Sequence, residues 1–224
     1  MNEYLVHCPF CLLIEQDFSN FVRCLWHPQP TAYCNRPLLI TCMPVINSDL
    51  KRAITQLSEN EKDKLLLKLV AKDDLLIERL EFELIEQGQT VEERRLVIRE
   101  FIDRTVRLKQ DTAGWVMMDM RVISGYITRH LKVTKDKYGE VELGLYMLNR
   151  FFEERPDQLR TYNTRTDKCA LYIAKRTEQI LKKLLKMDPD YHIEFMDDMN
   201  TLLERLYTNC PTHYARQLGI PKNL

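Results

Sequence analysis

Four side chains that could bind a metal ion lie close together near the start of the chain. Cys8 and Cys11 form one pair, and Cys24 and His27 form a second pair after twelve intervening residues. Two such pairs can supply the tetrahedral set of thiolate and imidazole ligands that Zn²⁺ prefers. The spacing therefore predicts a small zinc knuckle in the N-terminal segment.

The composition of this segment leaves two alternatives to the zinc knuckle open. The first 44 residues contain five of the seven cysteines, five of the nine prolines and no lysine. One alternative is that the protein starts at Met43, so that the preceding residues are not part of it. The other is an apolar arm that packs on the rest of the chain. We expect a Cys/Pro-rich segment over residues 1–44, non-helical or poorly ordered, followed by a helical domain over residues 45–224.

Two pairs of acidic residues could bind a different metal ion. Glu83 and Glu86 are followed, after thirteen residues, by Glu100 and Asp103. This pattern resembles that of the all-α nucleotide pyrophosphatases. The resemblance implies that the four carboxylates hold Mg²⁺, which bridges to the phosphates of the substrate. A helical wheel, however, places Glu100 and Asp103 on the solvent side of their helix, away from its apolar face.

A third group of candidate residues forms a basic stripe on a long predicted helix. Lys175, Lys182 and Lys186 are separated by seven and four residues, which are close to whole helical turns, so they share one face. Residues 121–187 carry 15 basic and 8 acidic side chains, whereas the whole chain carries 33 of each. The stripe could meet the phosphates of a nucleic acid. The alternative is a lysine-rich solvent face, because the neutral chain lacks the basic excess of a dedicated nucleic-acid-binding protein.

Several classes of enzyme are excluded because their motifs are missing. The sequence contains six glycines and neither G-x-x-x-x-G-K-[ST] nor G-x-G-x-x-G, so no glycine-rich phosphate loop can form. It also lacks H-E-x-x-H and G-x-S-x-G, the motifs of zinc proteases and α/β-hydrolases. We expect no cofactor apart from zinc at the N-terminal segment, or magnesium if the pyrophosphatase alternative holds.

The elements that position these residues are predicted to be helices, because apolar residues recur at three- and four-residue spacing from Ser48 onward. Ser58 and Thr90 begin capping boxes, and Asp188-Pro189 marks a further helix start. The predicted helices span residues 48–57, 59–71, 73–87, 91–109, 113–133, 140–154, 165–187 and 189–208, with Gly139 in the turn before the sixth. We therefore predict an all-α fold, a compact bundle or irregular array of about eight antiparallel helices.

The same patterns give an expectation about function. No apolar stretch approaches the roughly 20 residues of a membrane-spanning helix, so we expect a soluble, cytoplasmic protein with no membrane partner. Long amphipathic helices without a catalytic constellation favour a macromolecular interaction or scaffold module over an enzyme. A protein partner or self-association is the first expectation. A Mg²⁺-dependent nucleotide hydrolase and a nucleic-acid-binding helical protein are the alternatives.

Overall fold

The computed structural model describes residues 46–109 and 111–224, and every regular element within them is helical. The all-α prediction is therefore confirmed. The ten α-helices of the described residues are α1 (Ser48–Gln56), α2 (Glu59–Val70), α3 (Asp74–Leu80), α4 (Val91–Arg107), α5 (Ala113–Thr134), α6 (Lys137–Glu154), α7 (Pro156–Leu159), α8 (Asp167–Leu184), α9 (Pro189–Thr208) and α10 (Thr212–Gln217). A π-helical segment, Glu81–Ile85, continues α3. None of the described helices is long and apolar enough to cross a membrane.

The chain divides into two units after Thr55. The described part of the first unit is residues 46–55. It contains all of α1 except its last residue, and α1 has no buried residue. The second unit begins at Gln56 and contains the apolar core. The fold described below is that of the second unit. The predicted boundary at residue 44 lies outside the described residues.

Helix α6 lies at the centre of the second unit because most of its surface is apolar or small. It packs against α4, α5, α8 and α9, and eleven of its eighteen residues are buried. Phe151, Leu148 and Leu143 are among its fully buried side chains. Each surrounding helix turns one apolar stripe toward α6 and leaves its other face to solvent, as expected for amphipathic helices around a buried one.

A polar seam fixes the direction of α4 along α6. Arg99 lies 2.5 Å from the carboxylate of Glu142, and its guanidinium stands over the ring of Tyr146 at 4.4 Å. One helical turn later, Asp103 accepts hydrogen bonds from the Tyr146 hydroxyl at 2.8 Å and from Arg150 at 3.0 Å. Because the contacts advance together along both helices, α4 and α6 run parallel.

A buried ionic cluster joins α4 to the turn between α5 and α6. The Asp136 carboxylate accepts hydrogen bonds from the ring of His130 at 3.2 Å and from the Gly139 amide at 2.9 Å. The Arg95 Nε lies 3.1 Å from the same carboxylate. The side chains of Arg95, Asp136 and His130 are 13%, 9% and 3% exposed. Charged groups as far removed from water as Arg95 and Asp136 are stable only when they are paired.

This cluster corrects the predicted start of α6. The prediction of a helix beginning at residue 140, with Gly139 in the preceding turn, is wrong. Asp136 caps the helix through the Gly139 amide, so α6 begins at Lys137 and Gly139 belongs to its first turn. A Cβ atom on Gly139 would lie 2.2 Å from Asp136 Oδ2 and 2.7 Å from Arg95 Cδ. The glycine is therefore required by close packing rather than by a turn.

Other helix ends agree with the sequence patterns in part. The Ser58 amide donates to the Glu61 carboxylate at 3.0 Å, which confirms the first capping box. Helix α4 begins after Thr90 as predicted, but the Thr90 hydroxyl donates to Glu86 and does not cap the helix. The short helices α7 and α10 were not predicted, and the predicted helix over residues 73–87 changes to π-helix at Glu81.

Two glycine substitutions test the packing at Gly139. We expect Gly139→Ala to lower the free energy of unfolding by about 2 kcal/mol, because the new methyl group overlaps a carboxylate held by the ionic cluster. Gly125→Ala in α5 is the matched control, since a Cβ there meets no atom within 4 Å. Alanine should raise the free energy of unfolding there by up to about 1 kcal/mol. Denaturant titration measures both, and equal effects would contradict the packing argument.

The ionic cluster also predicts a dependence of stability on pH. Burial alone would raise the pKa of Asp136, but hydrogen bonds from His130 and Gly139 and the charge of Arg95 outweigh it and hold the pKa below its usual value. Ionised Asp136 therefore stabilises the fold above about pH 4, the range of an unfolded aspartate, and this stabilisation is lost as pH falls through the lower folded pKa.

Below about pH 4, we therefore expect the free energy of unfolding to fall more steeply in the wild type than in Asp136→Asn, which lacks the titrating carboxyl group. Denaturant titrations at several pH values between about 2 and 6 measure this difference. Parallel pH profiles for the two proteins would show that Asp136 does not contribute.

Candidate functional site

A cavity of about 870 Å³ opens between α3, α5 and α8, and we call it the basic groove. Five basic side chains line it, and none of the described acidic side chains does: Arg121, Arg129, Lys132, Lys175 and Arg176. They reach one cavity because their spacing follows the helical repeat, with residues 121, 125, 129 and 132 on one face of α5 and residues 172, 175, 176 and 179 on one face of α8.

Tyr172 holds the two walls of the groove together near their N-terminal ends. Its hydroxyl lies 2.9 Å from the Ser124 hydroxyl and donates to the Met120 carbonyl at 3.3 Å. The guanidinium of Arg121 lies 5.7 Å from the centre of the Tyr172 ring. Because its hydroxyl is hydrogen-bonded, the Tyr172 ring is fixed, and its contact with the guanidinium holds Arg121 at the edge of the groove.

Most of the positive charge in the groove is unpaired. Arg129 forms an ion pair with Glu78 at 2.7 Å. Arg121, Lys132 and Lys175 have no carboxylate partner among the described residues. The Nε atom of Arg176 is buried without a hydrogen-bond partner. A concave surface with this balance attracts anions, because the cations do not first have to leave a carboxylate.

Gly125 leaves open space in the α5 wall of the groove. It is exposed in the middle of a 22-residue helix, where glycine costs about 1 kcal/mol relative to alanine. No neighbouring atom requires the missing side chain, because an added Cβ would have nothing within 4 Å. The position thus allows a ligand to approach the helix backbone closely.

Comparison with known proteins gives no relative. No protein-family model, no curated protein and no solved structure matches this chain.

The structure does not bring the predicted basic stripe together in one site. Lys175 lines the basic groove, whereas Lys182 is not part of that lining and pairs with Glu178 at 2.6 Å. Lys186 lies in a neighbouring cavity at the end of α8. The α5 wall is not part of the predicted stripe, although the spacing of Arg121, Arg129 and Lys132 within the basic region was a detectable signal.

The first pair of the predicted magnesium ligands is bound to arginines. Glu83 accepts a hydrogen bond from Arg79 at 2.7 Å. Glu86 accepts hydrogen bonds from Arg94 at 2.6 and 2.9 Å and a further one from Thr90. The hydrogen bonds from Arg94 and Thr90 hold the pKa of Glu86 below its usual value. These contacts join the end of the π-helical segment to the first turn of α4.

The second acidic pair is split by the packing of α6. Glu100 is exposed, as the helical wheel predicted. Asp103 is 32% exposed, so the solvent-facing prediction holds only in part, because α6 contacts that flank of α4 and supplies Tyr146 and Arg150 as its partners. Among the described residues there is no group of three or more His, Cys, Asp or Glu side chains that could hold a metal ion. Magnesium binding by these acids stays a prediction.

The predicted zinc ligands Cys8, Cys11, Cys24 and His27 lie outside the described residues. The zinc knuckle, the start at Met43 and the apolar arm therefore all stay predictions. Two cysteines are described: Cys169 and Cys210 are both buried and free. Burial raises the pKa of each thiol to about 12, so neither is a reactive thiolate near neutral pH.

The contacts of the second acidic pair predict different roles for its two members. Burial alone would raise the pKa of Asp103, but hydrogen bonds from Tyr146 and Arg150 hold it below its usual value. We expect Asp103→Asn to lower the free energy of unfolding by about 1 to 3 kcal/mol, since it weakens charge-assisted hydrogen bonds between α4 and α6. Glu100→Gln should change it by less than about 0.5 kcal/mol.

Denaturant titration with and without Mg²⁺ measures both effects. A stabilisation by Mg²⁺ that either substitution abolishes would contradict the structural role and favour the metal site.

Proposed function

We propose that this protein is a macromolecular interaction module that binds nucleic acid, with the phosphates of the strand along the basic groove. One observation carries the proposal: five basic side chains from two helices line a single cavity in which none of the described acidic side chains takes part. Phosphate contacts from lysine and arginine supply most of the affinity of proteins for nucleic acids.

The residues of the groove suit two kinds of phosphate contact. Arg121 and Arg176 can each present two parallel N–H groups to a phosphate, which adds orientation to the attraction. Lys132 and Lys175 act as flexible point charges that follow the backbone of a strand. Each contact releases counterions from the nucleic acid, so the affinity should depend strongly on salt.

Aromatic and polar side chains of the groove favour a single strand over a duplex. Tyr126 is half exposed, and Phe101 supports its ring by an edge contact with the centroids 4.9 Å apart. A fixed, exposed ring is a surface on which an unpaired base can stack. Ser124, Thr128 and Gln179 add hydrogen-bonding groups within reach of base edges or ribose.

A protein partner or self-association stays a prediction alongside this proposal. Three apolar residues of α5 are exposed: Trp115, Met118 and Val122, at 62%, 45% and 51%, and Val122 also lines the groove. Their spacing puts them on one face of the helix.

Charge removal in the groove tests the proposal. We expect Arg121→Gln with Lys175→Gln to weaken binding of a single-stranded RNA oligonucleotide about tenfold and to reduce the slope of log K against log salt by about 1.4, the equivalent of two phosphate contacts. Fluorescence anisotropy between about 50 and 200 mM salt measures both quantities.

The matched control is Lys64→Gln with Lys68→Gln. Both lysines are exposed on α2, outside the groove, and their loss changes the net charge equally. This control should bind like the wild type. Equally weakened RNA binding in both double variants would show that only the net charge matters and not the groove. Absence of RNA binding by the wild type would refute the proposed function.

A further inference from the structure

A second cavity, of about 440 Å³, lies where the ends of α5 and α8 meet the start of α6, and we call it the lysine pocket. Leu131 and Met187 form the apolar part of its lining, and Glu140 is the one acidic residue there among those described. Five lysines complete it: Lys132, Lys135, Lys137, Lys183 and Lys186.

The charges in the lysine pocket are not balanced within it. Glu140 is buried and forms an ion pair with Lys183. The other four lysines have no carboxylate partner among the described residues. Ammonium groups that share one cavity repel each other. An anion with several negative charges would remove that repulsion.

Helix stability accounts for only some of these lysines. Lys132 and Lys183 lie in the last turns of α5 and α8, where the negative end of the helix dipole favours a cation. Lys137 is the first residue of α6, where the dipole disfavours one. Its presence needs a different explanation.

Lys135 occupies a backbone conformation that favours glycine. It ends α5 with φ 61° and ψ 19°, in the left-handed region, and its amide donates to the Leu131 carbonyl at 2.9 Å. Glycine or asparagine is usual at this position of a helix, because a side chain there is strained. Lys135 lines the lysine pocket, and backbone strain at a residue that lines a cavity is a reason to look for a function of its side chain.

The ionic cluster fixes the turn that carries two of the pocket lysines. Asp136, between Lys135 and Lys137, is fixed by His130 and Arg95. Its two neighbours line the pocket instead. The two lysines are thereby presented by a rigid turn, which lowers the entropy lost when a ligand binds.

We infer that the lysine pocket binds a compact polyphosphate anion, a run of two or three linked phosphates. Its volume lies in the range of small-ligand pockets. Such a ligand brings enough charge to neutralise four unpaired ammonium groups, which a carboxylate or a single phosphate does not. The ligand could be free polyphosphate or the triphosphate end of a nucleic-acid strand, since Lys132 lines both this pocket and the basic groove. Binding of the free anion does not depend on the proposed function of the groove.

Calorimetric titration of the full chain with inorganic tripolyphosphate, in magnesium-free buffer at about 0.15 M salt, tests the inference. We expect one binding site. Lys135→Gly should weaken binding about tenfold, the effect of losing one charge-assisted contact. The same substitution should raise Tm by about 2 to 4 °C, because it relieves the strained backbone. A purely structural lysine would not combine a gain in stability with a loss of affinity.

Two controls separate the pocket from its surroundings. Lys64→Gln removes one exposed positive charge on α2 and should leave tripolyphosphate binding unchanged. Arg121→Gln with Lys175→Gln removes charge from the basic groove and should leave it within about twofold, so that failure of the groove proposal is distinguishable from failure of this one. Absence of tripolyphosphate binding, unchanged affinity in Lys135→Gly, or loss of binding in the groove variant would each overturn the inference.

A second titration distinguishes the two sources of the phosphates, with RNA carrying either a 5′-triphosphate or a 5′-hydroxyl group. Tighter binding of the triphosphate form, with the advantage lost in Lys135→Gly, assigns the pocket to the end of a strand. Equal affinity for the two RNAs, together with tripolyphosphate binding, assigns it to the free anion.

Discussion

The pairing of Arg95 with Asp136 is the contact on which the arrangement of the site depends. It joins α4 to the turn between α5 and α6, and its charges are largely removed from water. Asp136 also caps α6 through the Gly139 amide, and Arg95 also pairs with Glu92 and Glu142, so several contacts hold the start of α6 against α4. The helices that surround α6 pack on it from this fixed start. Both basic cavities are formed by helices of this arrangement.

The helices themselves could be predicted because their signals are local. Ser58 with Glu61, and Asp188 with Pro189, mark helix starts within four residues of sequence, and the structure contains both. The start of α6 also has a local signal, because Asp136 caps the helix through the Gly139 amide three residues later, but Gly139 was interpreted as a turn residue. What the local sequence does not contain is the close packing at Gly139, which involves Arg95, 44 residues earlier in the chain.

Of the candidate site, only the basic residue Lys175 on α8 could be predicted from the sequence. A helical wheel identifies Lys175 as an exposed basic residue, but it cannot show which helix lies beside it. The groove needs the second wall from α5, and α5 and α8 become neighbours because both pack on α6. The partners of Asp103 were missed for the same reason, since a wheel for α4 alone contains no information about the flank that α6 contacts.

Two residues in these cavities depart from the preferences of the helix that carries them, and they do so in opposite directions. Gly125 leaves a side chain out of the middle of α5, where alanine would be more stable. Lys135 adds a long side chain at the end of the same helix, where glycine would be more stable. One opens space beside the cations of the groove, and the other adds a cation at the rim of the adjoining pocket. Residues that depart from the conformational preference of their position are expected mainly at functional sites. Access and positive charge are the two requirements of a surface that receives phosphates, so these departures favour an anion-binding role for this face over a solvated lysine-rich surface.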